Sequence, residues 1–287
     1  MTDISGHDLQ ALRPPLIRLA YRMLGSIVDA EDVVQDAFGR WLTSDRDTVR
    51  EPAAFLRVIV TRLCLNVLAS ARVSRETYIG PWLPEPIFDP EDADPVDDIT
   101  LPLMIALERL SPLQRAAFLL HDIFGMDFAQ IGETINRDPA ACRQLASRAR
   151  SDLRRERSRF PISKDKSEAV AAAFYFASRT GDMQRLRALL TQDVIAVADG
   201  GGKVPASLIP LVGIDAVMAR HAEMAILFSR EPSRMLRFGR IDGLPGFLTI
   251  EAGGVHQTTA FNISGDQVAA IYVTRNPEKL SHARAGL

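Results

Sequence analysis

Residues 126–155, MDFAQIGETINRDPAACRQLASRARSDLRR, decide how this chain is read, because they spell two short helices joined by a tight turn, the second studded with arginine. Asp127 is suited to accept from the free amides of a helix start, with Gln130 three residues on. Phe128, Ile131 and Ile135 then share one face at spacings of three and four. Asn136 and Arg137 break the run. Asp138 followed by Pro139 starts a second helix, since proline fixes its backbone angle and lacks an amide the first turn would leave unpaired. Cys142, Leu145 and Ala149 are its expected apolar seam, leaving Arg143, Gln144, Ser147, Arg148 and Arg150 to point outward. Helix, short turn and polar second helix make a helix-turn-helix, whose second helix enters a DNA major groove.

An ordinary helical hairpin with a solvated face has the same periodicity, so charge must separate the two. Residues 137–159 hold eight arginines against Asp138, Asp152 and Glu156, a local charge of +5 in a chain whose total is −2. Arginine is also the side chain suited to bidentate guanine contacts and to phosphate.

A chain of 287 residues has room for two or three domains. Its near-neutral balance argues against a nonspecific nucleic-acid coat. Cys64 and Cys142 stand in no metal-ligand or disulfide spacing, so no metal or cofactor is expected and a reducing cytoplasm fits. Both sit on apolar helix faces, where free cysteine is usually inert. No basic start followed by an apolar run, and no stretch of about 18 uninterrupted apolar residues, points to secretion or to a membrane.

To about Val73 the chain reads as helical. Leu9, Leu12, Leu16, Leu19 and Met23 recur at three and four in a first helix that stops near Gly25. Asp29 is the expected cap of a second, residues 30–42, with Val33, Val34, Ala37, Phe38 and Trp41 inward and Glu31, Asp32, Gln35 and Asp36 outward. Its outer face is therefore acidic. Pro52 opens a third helix to about Ala71, with Phe55, Ile59, Leu63 and Val67 four apart. From Ser74 to about Asp98 the pattern collapses into an apparent linker: PWLPEP at residues 81–86, and seven carboxylates (Glu85, Asp89, Glu91, Asp92, Asp94, Asp97, Asp98) without a basic residue, a composition that is usually extended and solvated. Helices resume at Leu101, and Ser111-Pro112-Leu113-Gln114 is a further helix start leading to Gly125. Beyond Phe160-Pro161 two helices (167–179, 182–190), a strand (194–198), a glycine loop, a helix (214–228) and four strands (235–241, 247–252, 255–263, 268–274) predict an α+β domain, helices wrapped on a curved antiparallel sheet.

An acidic-faced helical module, a linker and a helix-turn-helix resemble the two DNA-binding domains of extracytoplasmic-function sigma factors of the sigma-70 family. AYRMLGSIVDAEDVVQDAFGRW at residues 20–41 and LNVL at 65–68 carry the likeness together with the helix-turn-helix. The rest resembles the subgroup with a fused C-terminal cone-shaped domain of nuclear-transport-factor-2-like, or polyketide-cyclase-like, fold, through three short signatures: WLPEP (Trp82, Leu83, Pro84, Glu85, Pro86), DGGGK (Asp199, Gly200, Gly201, Gly202, Lys203) and NPEKL (Asn276, Pro277, Glu278, Lys279, Leu280). The last reads NPDKL in the family pattern, so Glu278 departs mildly from it.

The resemblance implies a multidomain chain: residues 1–75 as sigma region 2, 76–100 as linker, 101–160 as sigma region 4 and 161–287 as a regulatory cone domain. It implies that Asp29, Glu31, Asp32 and Asp36 meet the basic clamp of RNA polymerase core, and that Asn66, with Arg62 and Arg72, lies at the −10 element. Arg143, Gln144, Ser147 and Arg148 would read the −35 element, with Arg150, Arg154 and Arg155 on phosphates. The three signatures would regulate the sigma module in cis, with no separate anti-sigma protein. A small-molecule ligand of the cone pocket stays open. Two rivals remain: a free-standing helix-turn-helix repressor with a ligand-binding domain, and a cone-fold isomerase or hydrolase in which Asp199, Asp215, His221, Glu223 and His256 supply acid/base groups.

Overall fold

The computed structural model describes residues 6–45, 49, 51–90, 100–154 and 164–281, and the chain divides into two compact units, residues 1–77 with 104–157 and residues 78–103 with 158–287. The side chain of Leu9, the acidic residues 91–98, the Arg72 side chain and Arg155 lie outside what is described.

The first unit is helical. Leu19 and Met23 of α1 (Gly6–Leu24), Val34 and Trp41 of α2 (Ile27–Thr43) and Leu56, Val60 and Cys64 of α3 (Pro52–Glu76) are buried together. The cap of α2 is Ser26 rather than Asp29: the serine hydroxyl accepts from the Asp29 amide at 3.2 Å, three residues into the helix. The buried stripe of α3 is Leu56, Val60, Cys64 and Leu68, with Leu63 beside it, while Phe55, Ile59 and Val67 are only half-buried. A helix apolar around most of its circumference offers several parallel stripes, so periodicity alone leaves its rotation open. Residues Pro52–Ser70 even have the length and apolarity of a membrane span; in the fold that stripe packs against α1 and α2.

The second half of this unit contains the part of α4 (Leu101–Leu107) from Met104 on, α5 (Pro112–Phe118), a π-helical turn (Leu119–Ile123), α6 (Phe128–Ile135) and α7 (Pro139–Leu153). Ser111 and Gln114 form the reciprocal capping box that starts α5. Arg115, 2% exposed, ties the halves of the unit: its Nη1 donates to the Met23 carbonyl and to Glu108, each at 2.6 Å.

In the second unit α8 (Lys164–Thr180), α9 (Met183–Ala188) and α10 (Ile214–Arg230) accompany a six-stranded sheet of β1 (Leu190–Asp199), β2 (Leu211–Val212), β3 (Arg234–Ile241), β4 (Leu244–Glu251), β5 (Val255–Ser264) and β6 (Gln267–Thr274), in the order β2-β1-β6-β5-β4-β3. β1 and β6 run parallel, so the sheet is mixed where antiparallel pairing was expected. Their partnership spans α10 and four strands, and no hairpin fixes its direction. Phe174 of α8, Phe247 of β4 and Phe261 of β5 meet at the centre of the core, with ring centroids 4.7 and 5.6 Å apart from Phe261.

The expected solvated linker is corrected over residues 78–89, which form a strap on this second unit. Phe88 makes an antiparallel bridge to Ile241 at the end of edge strand β3, the Asp89 amide donates to the Arg240 carbonyl, and the Asp242 amide donates to the Ile87 carbonyl. The strap thus covers part of an edge that would otherwise present unpaired backbone groups.

Candidate functional site

The helix-turn-helix is built by local chemistry. Asp127 accepts from the Gln130 amide at 2.8 Å and Asp138 from the Ala141 amide at 2.8 Å, so each helix starts on its own aspartate. Between them Asn136 adopts the left-handed conformation (φ 53°) and its amide caps back on the Gly132 carbonyl. The turn folds tightly enough that a Cβ on Gly132 would stand 2.5 Å from the Arg137 carbonyl oxygen. The seam of α7 is Cys142, Ala146, Ala149 and Leu153; Leu145 is half-buried, so the face is rotated from the expected one. Burial raises the thiol pKa of both Cys64 and Cys142. Arg143, Gln144, Ser147, Arg148 and Arg154 are exposed on or just past α7. Arg150 is partly committed within the unit, its Nε donating to Asp122 at 2.7 Å.

Asp29, Glu31, Asp32 and Asp36 are all exposed on α2, opposite the buried Val33, Val34 and Ala37. Asn66 is exposed on α3. Arg62, expected at DNA backbone, instead donates to two carbonyls at the end of α6, Thr134 at 3.0 Å and Glu133 at 2.8 Å. Those carbonyls fall in the last turn of a helix, where the backbone lacks partners and attracts a cation.

In the second unit the three short signatures converge on one buried group. Asp199, 0% exposed, accepts at Oδ1 from the Tyr78 hydroxyl at 2.5 Å and at Oδ2 from the Leu83 amide at 2.9 Å and the Lys279 ammonium at 2.7 Å. Lys279 also donates to the Leu83 carbonyl and lies 4.0 Å from the centre of the Trp82 ring and 4.9 Å from that of Tyr78. Asn276 donates to the Tyr78 hydroxyl at 3.0 Å, and its own amide and that of Arg275 donate to the Asp199 carbonyl. Leu83, Pro84, Glu85, Pro86 and Leu280 are buried around this clasp. Gly201 has φ 59°, and a Cβ there would stand 2.3 Å from Asn276 Nδ2, so the glycine run is required both by backbone angle and by close approach. Burial and the Asp199 carboxylate raise the Tyr78 hydroxyl pKa and keep it a donor.

The sequence named both lysines of these segments without distinguishing their surroundings. Lys203 pairs with Glu278 at the surface, where both are largely exposed, while the buried charge is Lys279. Trp82 is half-buried, stacked over that ammonium. Tyr78 was missed; its only sequence signal is an aromatic hydroxyl four residues before the tryptophan. The acid/base candidates of the cone do not assemble: Asp199 is in the clasp, Asp215 pairs with Arg187 and Glu223 with Arg220 at the surface, and His221 lines a cavity. Another buried pair escaped the sequence reading, Arg179 with Glu251 at 2.7 Å, the guanidinium lying over Phe228.

The sequence models for sigma-70 region 2 and sigma-70 region 4 match residues 9–73 and 101–153. Over 96% of this chain and 92% of its own length, the ECF RNA polymerase sigma factor SigJ of Mycobacterium tuberculosis is 35% identical. The chain is an extracytoplasmic-function sigma factor. This sigma factor is also 33% identical to the probable ECF RNA polymerase sigma factor SigI of Mycobacterium tuberculosis, over 97% of the chain and 95% of the relative. The crystal structure of SigJ superposes with a TM-score of 0.79 at 32% identity, covering 96% of this chain and 98% of that one. The sigma factor accordingly serves transcription initiation with RNA polymerase core and promoter DNA, and carries an α+β cone domain behind its two helical domains. The repressor reading falls with that membership. The expectation that no separate anti-sigma protein acts on the chain finds no support in the fold or in these relatives, and is dropped.

Proposed function

We propose that the exposed carboxylates of α2, Asp29, Glu31, Asp32 and Asp36, dock on a basic surface of the polymerase core. Arg143, Gln144, Ser147 and Arg148 of α7 read the −35 element, with Arg154 on phosphate, and α3 around Asn66 meets the −10 element. Arg62 serves instead as a tie to α6. Such a factor works in the cytoplasm, where polymerase and promoters are, and its cone domain acts as a regulator in cis rather than as an enzyme. The observation that carries the regulatory reading is the clasp: Asp199, Lys279 and the Leu83 backbone, joined by Tyr78, gather all three signature segments around one buried charge pair, an arrangement that fixes the strap leading out of α3.

Copurification and promoter-resolved run-off transcription with core polymerase test this reading together. Asp32→Lys with Asp36→Lys should weaken core binding, most at low salt where repulsion is least screened, because solvent-facing carboxylates gain energy there only from a basic partner. Unchanged core binding would remove the docking assignment. Lys279→Met should change transcript yield at every promoter by the same factor and leave promoter choice alone; an altered ranking of promoters, or an unaltered yield, speaks against control through the clasp.

A further inference from the structure

The cone contains a narrow cavity of about 100 Å³, open at one mouth and lined by residues of α8, α10 and five strands of the sheet. Its walls are apolar and aromatic, with Phe174, Phe228, Phe247, Met224, Ile271 and Val273 among them. Its polar lining is of one electrical sign. Arg179, Arg220, Arg275, His221 and Gln257 face it, and no carboxylate does among the described residues. Two of those arginines are already matched, Arg179 by Glu251 and Arg220 by Glu223.

Arg275 and His221 make no ion pair of that kind, although the Glu251 carboxylate also acts on the Arg275 charge. Arg275 spends Nη1 on the Pro205 carbonyl at 2.6 Å, but its Nε is buried without a hydrogen-bond partner, as is His221 Nδ1. A buried donor left unpaired costs about 1–3 kcal/mol, so native structures rarely keep one where no ligand, water or ion completes it. Burial, with Arg179 and Arg220 nearby, holds the His221 pKa down to about 4, so the ring is neutral and offers a single N–H. A guanidinium and a neutral imidazole at the edge of an aromatic slot suit an oxygen anion attached to an apolar body. A phosphate ester or a sugar would leave most of this wall unused, and a pure hydrocarbon would leave both nitrogens unpaired.

We propose that this cavity binds a small amphipathic monocarboxylic acid, with the carboxylate at Arg275 and His221 and the hydrocarbon part between Phe174, Phe228 and Phe247. The site adjoins the clasp along the chain itself. Ala198 lines the cavity and the next residue is Asp199; Arg275 lines it and the next residue is Asn276. The Arg275 amide already donates to the Asp199 carbonyl at 2.8 Å, so a ligand that draws the Arg275 side chain acts within one residue of the Tyr78 and Lys279 contacts. Binding itself does not depend on the clasp having a regulatory role.

Titration calorimetry on the full chain, with octanoate and phenylacetate set against octanol and 2-phenylethanol, tests the proposal. At least one acid should bind about tenfold or more tighter than its own alcohol, the difference one charge-assisted contact supplies. Arg275→Gln should erase that preference, and Met224→Trp, which fills the slot, should abolish binding of acid and alcohol alike. If Arg275→Gln lowers the melting temperature enough to cloud the comparison, His221→Gln replaces it with the same expectation. The proposal fails if neither acid binds below about 10 mM, if an alcohol matches its acid, or if the preference survives in the folded variant.

Discussion

The carboxylate of Asp199 and those of Asp32 and Asp36 are chemically alike and differ in what surrounds them. Asp199 is sealed from water and satisfied by a phenol and an amide of the strap and an ammonium near the C-terminal end; Asp32 and Asp36 stand in solvent on a helix whose opposite face makes the core. A buried ion pair gives little net stability over a well-packed apolar pair, but removing one partner is severe, because the survivor stays buried and unmatched. An exposed carboxylate is nearly neutral for folding and free for a partner. The clasp therefore determines shape, while the α2 face is open to determine association.

Substitutions can break this contrast at graded strength. Lys279→Met should be the most damaging, about 3–5 kcal/mol off the stability of the cone unit by denaturant unfolding, with faster hydrogen exchange over residues 78–89. A loss under about 1 kcal/mol would mean that the pair is hydrated and the contrast false. Next comes acid. The folded His221 pKa of about 4 lies below the unfolded value of 6.5, so unfolded chains take up protons first; the stability associated with the neutral ring is complete above about pH 6.5 and lost as pH falls toward 4, roughly 3 kcal/mol in all. His221→Gln should flatten that part of the pH profile. Arg143→Ala, on the outward-facing α7, should leave unfolding unchanged and cost about 1–3 kcal/mol at one or two −35 positions in a promoter library. Equal loss on every sequence would move Arg143 to the phosphate contacts. Lys203→Ala, breaking a surface pair, should alter stability by under about 1 kcal/mol; a loss equal to that of Lys279→Met would show that the exposed pair carries the clasp after all.

What could be read from the sequence follows the range of the interactions. Asp127, Asp138, Pro139 and the Ser111–Gln114 box act over three residues, and they fixed the helix-turn-helix before any fold was known. The acidic α2 face was legible because its inward partner positions repeat at helical spacing. The rotation of α3 was not, since neighbouring apolar stripes compete on one helix. The strap was hidden for another reason: its composition is that of a solvated linker, and what holds it lies far along the chain, at Asp199 for Leu83 and at Lys279 for the Leu83 carbonyl. Family motifs pointed to those segments, yet only three-dimensional contact distinguishes the buried Lys279 from the exposed Lys203.

The ties that Arg62 and Arg115 make inside the helical unit set a mechanical condition on its work. The −10 and −35 elements are about 25 base steps apart, about 85 Å of duplex at 3.4 Å per step. A body of about 130 residues has a radius of gyration near 14 Å, so a closed unit falls well short of that span. On the proposed assignment of α3 to the −10 element and α7 to the −35 element, holding both at once requires drawing α3 away from α6, which releases the Arg62 bonds to Glu133 and Thr134. Each such charge-assisted bond is worth about 1.5–3 kcal/mol, and that work is subtracted from whatever the bases and phosphates return. On that assignment, affinity for a promoter depends partly on two carbonyls at the end of α6.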